Sequence, residues 1–498
     1  MKKINKEKIF LFIKKYFALF LLALIPLAFY WQTTSFELSY LDDQNLIGEN
    51  FSVIKNASIG DIFSSDPFFS EQAFFYRPLL EFSFWLDYHF SGGSWPFFYW
   101  HNIFLNSAMA ILIFFLFKEL GLKKKASWFM AAIFSVQPTL LPAVAWLPGR
   151  NDLLLGVFSL AAILSFIQFQ KNKQTKTLIF HFFFLLLAIF SKETAILLPL
   201  ILIFFIPNIF DFKKLKETIK SPLLVAPVLV WLTSVIFYFL FRFGAIGASS
   251  MFNLSDLFIG IDSAIKAMFV FFGKFFWPFN LSTLPVNADT SIWPGIIIFI
   301  TLLLAAWHKR KEVNKKLFFF GLFWFFIFIT PSLIFQNNPD YGVAFNLEHR
   351  LYLPAVGLLI SILSFPKLSP RLAKIIPLTI LISALVVSTC RIKDFANADS
   401  FWKKAVESSP SSAFAHNNLG AIYYLNNEKD KALNEYLQAQ IINPEEKLTY
   451  NNIGLCLMDK NYFKEARFYF NQELKINPGC TNALYNLKLL EYRESEKK

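Results

Sequence analysis

Charge is what this chain has least of. Asp, Glu, Lys and Arg together make up 17% of its 498 residues, where a soluble domain carries about 25%. With 55% hydrophobic residues and a mean hydropathy of +0.45, that shortage excludes a wholly soluble protein. Cysteine is nearly absent too. Cys390, Cys456 and Cys480 are the three, and none stands at metal-ligand spacing. In an oxidising compartment Cys456 and Cys480 either form a disulfide or remain buried thiols. The little charge present is unbalanced, at +13 net. Nucleic-acid binding is a usual reason for such an excess, but the placement of the basic residues points elsewhere.

The apolar residues, 64 phenylalanines among them, come in blocks. About 20 helical residues cross the ~30 Å hydrocarbon layer. Spans are expected near 16–31, 101–117, 126–146, 152–169, 177–191, 193–207, 222–243, 292–308, 317–335, 351–365 and 373–390. In lipid each backbone polar group must be satisfied within its own segment, so every span is read as a helix. A further stretch, 262–279, carries Lys266 and Lys274 and ends Trp277-Pro278-Phe279. It reads as interfacial or re-entrant. The first run has no small-x-small cleavage site before Gln32 and reads as an uncleaved span.

Cytoplasmic loops collect Lys and Arg. With the N-terminus inside, 25 of the 48 basic residues fall on inside loops and 8 on the longer outside ones. The basic excess is therefore an orientation signal, and no nucleic-acid partner is expected. Eleven spans leave the C-terminus outside. The expected architecture is all-α: a polytopic membrane domain over 1–390 with a long extracytoplasmic loop at 32–100, then a soluble domain over 391–498.

The soluble part repeats with a period of 34. Residues 411–444 and 445–478 align so that Asn418-Leu419-Gly420 answers to Asn452-Ile453-Gly454, Ala432 to Ala466, Tyr436 to Phe470 and Pro444 to Pro478. Small residues let the two helices of a unit approach, and the proline ends the unit. This is the tetratricopeptide pattern. A half unit, 396–410, precedes it in register through Ala398, Trp402, Ala405 and Pro410, and a helix over 481–494 closes the stack. Such a solenoid binds a peptide or docks on the rest of the chain. Nothing in it suggests catalysis.

Titratable residues gather instead at the outside edges of the membrane segments. Asp42 and Asp43 follow the first span. Adjacent residues point in different directions, so one is expected to face a cavity and the other to cap the segment Gln44 to Asn50. A solvated acidic turn is the plainer reading. Arg77, in Tyr76-Arg77-Pro78-Leu79, suits an ion pair or a phosphate. Arg150 and Asp152 stand where Pro148 and Gly149 break a helix. Lys192 and Glu193 sit between two apolar helices and either pair with each other or serve a site. Glu348, His349 and Arg350 open the span that begins Leu351-Tyr352-Leu353-Pro354. Arg77, Arg150, Lys192 and Arg350 are together a candidate phosphate-binding set.

These motifs, with His101-Asn102 opening the second span and repeats following the last, resemble in order and topology the transmembrane and tetratricopeptide-repeat O-mannosyltransferases. Those are glycosyltransferases of the GT-C fold. The resemblance implies a sugar donor on a polyprenyl phosphate and a Ser or Thr hydroxyl of an exported protein, or a glycan, as acceptor. It implies Asp42 or Asp43 as general base. Arg77, His101, Asn102, Arg150, Asp152, Lys192, Glu193, Glu348, His349 and Arg350 would line the donor site. No metal is obligatory, because phosphate already leaves well, though a divalent cation remains compatible. The repeat array is shorter than in animal members. The Phe-, Lys- and Asn-rich composition looks bacterial, which implies an inner-membrane enzyme with an undecaprenyl-type lipid. Two other readings compete: a transporter or flippase of lipid-linked solutes, and a membrane-anchored repeat scaffold of an envelope complex.

Overall fold

The computed structural model describes residues 6–64, 75–211, 213–247, 261–334, 346–366 and 369–496. Parts of the expected loops, at 65–74, 248–260, 335–345 and 367–368, lie outside the described residues. Among those described, the chain is helical with no β-strand.

The long apolar runs do form helices. Six are long and apolar enough to cross a membrane, at Tyr16–Ser35, Trp95–Glu119, Leu147–Asn172, Pro222–Ile246, Lys315–Leu333 and Leu372–Phe395. The 25 residues of Trp95–Glu119 reach about 37 Å, more than the ~30 Å required. A seventh span results if Lys124–Ser135 and Pro138–Ala145, bent by 49° at their junction, count as one. Four apolar helices, Thr175–Ser191, Glu193–Phe205, Trp293–His308 and Pro354–Leu363, are shorter. The eleven expected spans therefore resolve into six or seven helices of spanning length and four short ones. Pro354–Leu363, at 10 residues, covers only about 15 Å.

The bend has a cause and a repair. Pro138 and Pro142 lack the N–H that would continue the helical ladder, so carbonyls near the break lose their partners. Neighbouring helices supply them. Asn106 Nδ2 donates to Ser135 O at 2.9 Å, Ser388 Oγ to Val136 O at 2.7 Å and Asn102 Nδ2 to Val144 O at 3.2 Å. Arg391 donates to Pro138 O. A broken helix is tolerated in lipid when side chains satisfy the freed groups in this way. Nearby, Gly321 and Gly357 let Lys315–Ile334 and Pro354–Leu363 meet backbone to backbone, where neither position has room for a Cβ.

The chain divides into two compact units. The first comprises 1–259, 297–333 and 348–396; the second comprises 260–296, 334–347 and 397–498. In the second unit the repeats form as helix pairs: Ala413–Leu425 with Lys429–Ile442, then Thr449–Asp459 with Phe463–Ile476. Ala398–Ser408 is the half unit and Thr481–Glu496 the closing helix. The period of 34 has a packing reason. A Cβ on Gly420 would stand 2.6 Å from the Tyr436 ring, and one on Gly454 would stand 2.6 Å from the Phe470 ring. Cys456 and Cys480 are buried free thiols. The segment after Ile261–Phe276 is stitched to the half unit: Thr283 Oγ1 donates to Phe401 O and Ser409 Oγ to Leu284 O, both at 2.9 Å. Ser411 donates to Asp289 through its N–H at 2.9 Å and its hydroxyl at 2.7 Å.

Gly420→Ala is expected to loosen the first repeat. Overpacking costs about 1–3 kcal/mol, and the better helix propensity of alanine returns about 1 kcal/mol. Faster hydrogen exchange over 413–442 in the full chain would register the net loss. Unchanged exchange would mean that the Tyr436 ring moves aside at no cost.

Candidate functional site

The turn after the first span separates the two aspartates. Tyr40 adopts a left-handed backbone (φ 55°), and the chain folds back so that Asp43 faces its own neighbours. Its carboxylate accepts from Ser39 N at 2.6 Å, Ser39 Oγ at 2.9 Å, Leu41 N at 3.1 Å and Gln44 N at 3.0 Å. Trp146 Nε1, donating to Ser39 Oγ at 3.1 Å, fixes the turn against the helix break. Burial pushes the Asp43 pKa up and these hydrogen bonds oppose it. Four donors directed at two oxygens suit the ionised form.

Asp42 has the opposite setting. Its side chain is open to solvent, yet protein surrounds it closely enough that desolvation dominates its ionisation. No hydrogen bond engages it among the described residues. Burial pushes its pKa up to about 6, with help from the charge of Asp43 and against the attraction of Arg350 and Arg77.

Three cations share this neighbourhood. Arg350, whose Nη1 donates to Ser332 O at 3.2 Å, is lowered to a pKa of about 10 by burial, with Asp152 and Asp42 opposing and Arg77 adding. It stays protonated at neutral pH. Lys192 Nζ lies 2.8 and 2.9 Å from the two oxygens of Asp152. Burial lowers the Lys192 pKa, Asp152 raises it, and Arg77 and Arg350 lower it further. Arg77 donates through Nε and Nη2 to Glu193 Oε2 at 3.2 and 3.1 Å and stacks on Phe75. Lys192 and Glu193 are therefore not each other's partners. The peptide turns between helices here, and the two side chains diverge to Asp152 and Arg77.

His349 completes the group. Its Nε2 is 3.9 Å from Asp152 Oδ2, and its ring packs on Trp146. Burial, then the charges of Lys192, Arg350 and Arg77, hold its pKa well below the usual imidazole range, so it is neutral at pH 7. The structure thus brings together Asp42, Arg77, Asp152, Lys192, Glu193, His349 and Arg350.

Four expected site residues lie elsewhere. Arg150 is fully buried. Its guanidinium meets Asp87 at 2.5 Å, Asn102 Oδ1 at 2.7 Å, Phe98 O at 2.6 Å and Ser83 Oγ at 3.2 Å, and lies over the Phe84 ring. Four of its five N–H donors are thus engaged inside the protein. Residues two apart on a helix are about 200° apart around the axis, so Arg150 and Asp152 cannot serve one pocket. Asn102 and His101 belong to the same network, His101 Nδ1 lying 2.7 Å from Asp87 Oδ1. Glu348 is buried against Arg391, tying its turn to the last helix of the first unit.

Asp87, Ser83 and Arg391 were not singled out from the sequence. Nor was Arg242, which hydrogen-bonds Tyr238 close to Glu193 and Arg77. The signal for Arg242 was available: it is the lone charge of the helix Pro222–Ile246, which lipid or a core tolerates only with a partner. Among the described residues no three His, Cys, Asp or Glu side chains converge as metal ligands would.

Comparison with known proteins places the chain among relatives by overall similarity. The tetratricopeptide repeat family matches residues 449–480. The chain is 23% identical over 397 residues to protein O-mannosyl-transferase F38B6.6 of Caenorhabditis elegans, covering 74% of this chain and 54% of that protein. It is 29% identical over 175 residues to protein O-mannosyl-transferase TMTC4 of Homo sapiens, covering 31% and 24%. It is 36% identical over 123 residues to protein O-mannosyl-transferase Tmtc1 of Drosophila melanogaster, covering 24% and 14%. The matches thus span at most about half the length of these relatives. The chain is similar to transmembrane, repeat-bearing O-mannosyltransferases.

Proposed function

We propose that this protein is a membrane glycosyltransferase that moves a hexose, mannose in the named relatives, from a polyprenyl phosphate to a hydroxyl of an exported protein. In this reading residues 1–390 are the catalytic domain and 391–498 the repeat domain. The positive-inside pattern supports a cytoplasmic N-terminus and an extracytoplasmic site and repeat domain. The composition favours a bacterial inner membrane and an undecaprenyl-type carrier. The observation that carries the reading is one accessible, unpartnered carboxylate, Asp42, set among Arg77, Lys192 and Arg350 at the edge of an apolar helical scaffold.

The chemistry follows from that set. An alcohol is a weak nucleophile at neutral pH, and a carboxylate that takes its proton during attack contributes roughly 10²–10⁴-fold. The acceptor oxygen bonds to the anomeric carbon, its proton passes to Asp42, and the bond from that carbon to the phosphate oxygen breaks. The electron pair leaves with the polyprenyl phosphate. Arg77, Lys192 and Arg350 stabilise the charge that develops there, with their positions already fixed before reaction. Asp152 and Glu193 hold two of these cations in place.

The test is transfer by the purified full chain from radiolabelled polyprenyl-phosphate sugars to envelope protein, followed across pH. The base works as the anion, so activity is lost as pH falls through about 6, the pKa of Asp42. The rate is expected to rise about tenfold from pH 5 to pH 7, as the ionised fraction goes from about 9% to about 91%. Transfer with no pH dependence in this range would remove Asp42 as the base. Label reaching glycan rather than protein would change the acceptor.

A further inference from the structure

We propose that the repeat-bearing unit carries its own lipid-docking surface, formed by Trp277, Phe279 and Trp293, which sits at the headgroup level of the bilayer. The three aromatics belong to the second unit, and the inference is independent of the transfer chemistry.

The three side chains are among the most exposed large apolar groups of that unit, at 57%, 56% and 65%. They occupy one place in the fold. The helix Ile261–Phe276 meets the start of Trp293–His308 backbone to backbone, since a Cβ on Gly273 would stand 2.7 Å from Gly295 N. Trp277 lies one turn beyond Gly273, its N–H donating to Gly273 O at 2.8 Å. Trp293 lies two residues before Gly295. The rings of Trp277 and Phe279 are 4.8 Å apart. The contact between the two helices therefore places all three aromatics at the same end of the helix pair.

Two features identify lipid as the occupant. Trp293 begins a helix of 16 residues with no charge before His308, a composition that belongs in hydrocarbon. Its first residue then stands where the hydrocarbon begins, the level at which indole rings concentrate. In the preceding helix, residues 270–275 are all buried, Lys274 among them, while Ile265 and Lys266, near the start of the helix, are exposed. An exposed apolar residue beside a lysine at the start of the helix suits the membrane interface. The chain between the aromatics, through Thr283, Leu284 and Asp289, is hydrogen-bonded to the half repeat. Docking of the edge thus fixes the level of the repeats over the membrane.

The test places an environment-sensitive NBD probe on the full chain in phosphatidylcholine–phosphatidylglycerol vesicles. Trp277→Cys, Phe279→Cys and Trp293→Cys are made singly on a Cys390→Ser background; Cys456 and Cys480 are buried. Phe279→Cys keeps both tryptophans and so reports on an edge with its two indoles intact. Each probe is expected to lose most of its emission to lipids brominated high on the acyl chain, less to lipids brominated deep, and little to aqueous iodide. A probe at Tyr485, 66% exposed on the closing helix, should respond to iodide and not to lipid. Iodide quenching at 277, 279 and 293 without lipid quenching would overturn the proposal in favour of a water-facing edge. Protection from both quenchers would overturn it in favour of a protein partner.

Discussion

Asp42→Asn is expected to lower sugar transfer by about 10²–10⁴-fold while the protein remains folded in the membrane. Asn keeps the shape of the side chain and loses only the ability to take a proton. Asp42 makes no hydrogen bond among the described residues, so no structural contact goes with it. Asp43→Asn is the instructive contrast. Asp43 accepts from three backbone N–H groups and the Ser39 hydroxyl, and an amide would direct its own NH2 at some of those donors. Each buried donor left unpaired costs about 1–3 kcal/mol. The second variant should therefore melt earlier in detergent, with its loss of transfer following its loss of folded protein. If Asp43→Asn abolished transfer at unchanged stability while Asp42→Asn did not, the two roles would be exchanged.

Arg150→Met should be the most destabilising single change in the membrane domain. It leaves Asp87 buried beside His101 with its strongest partner gone. Breaking a buried pair from one side costs about 3–5 kcal/mol. Replacing both partners is cheaper, so Arg150→Met with Asp87→Leu should recover much of the loss, the remainder reflecting the orphaned His101 and Asn102. Thermal unfolding of the full chain in detergent measures both. Donor KM separates this role from phosphate binding. At temperatures where the variant is folded, Arg150→Met should leave KM unchanged, whereas Arg77→Ala should raise it. A raised KM for Arg150→Lys at full stability would return Arg150 to the site.

These expectations differ from a reading of the chain's edge charges because proximity in sequence proved a poor guide to partnership. Lys192 and Glu193 are adjacent, yet each pairs with a residue on another segment. Arg150 and Asp152 are two apart, and the helix turns one into a buried network and the other toward the cations. Charge at a membrane edge was legible; which charges meet was not, because the meeting depends on how helices pack. The same limit applied to the spans. A hydropathy window sums composition and so finds 126–146, but it cannot register the 49° bend that Pro138 and Pro142 impose. It likewise counts 351–365 as a span although the helix there has 10 residues. The repeats were legible in detail, because Gly420, Tyr436 and their counterparts are contacts within a single 34-residue unit. Which of Asp42 and Asp43 is held by neighbouring donors was open in the sequence, because it follows from a turn with a left-handed residue, Tyr40.

The repaired bend also bears on how the chain is made. Carbonyls at Ser135 and Val144 find partners on Trp95–Glu119, a helix synthesised just before them. The carbonyl of Val136 accepts from Ser388, and that of Pro138 accepts from Arg391 beside Leu141 N at 3.3 Å; both side chains lie roughly 250 residues downstream. During insertion, therefore, Ser135 O and Val144 O can be satisfied at once, whereas Val136 O waits for Ser388 on the last apolar helix. Biogenesis of the membrane domain ends at the same residues that complete its third apolar segment, and a nascent chain stalled before Leu372 lacks its clasp.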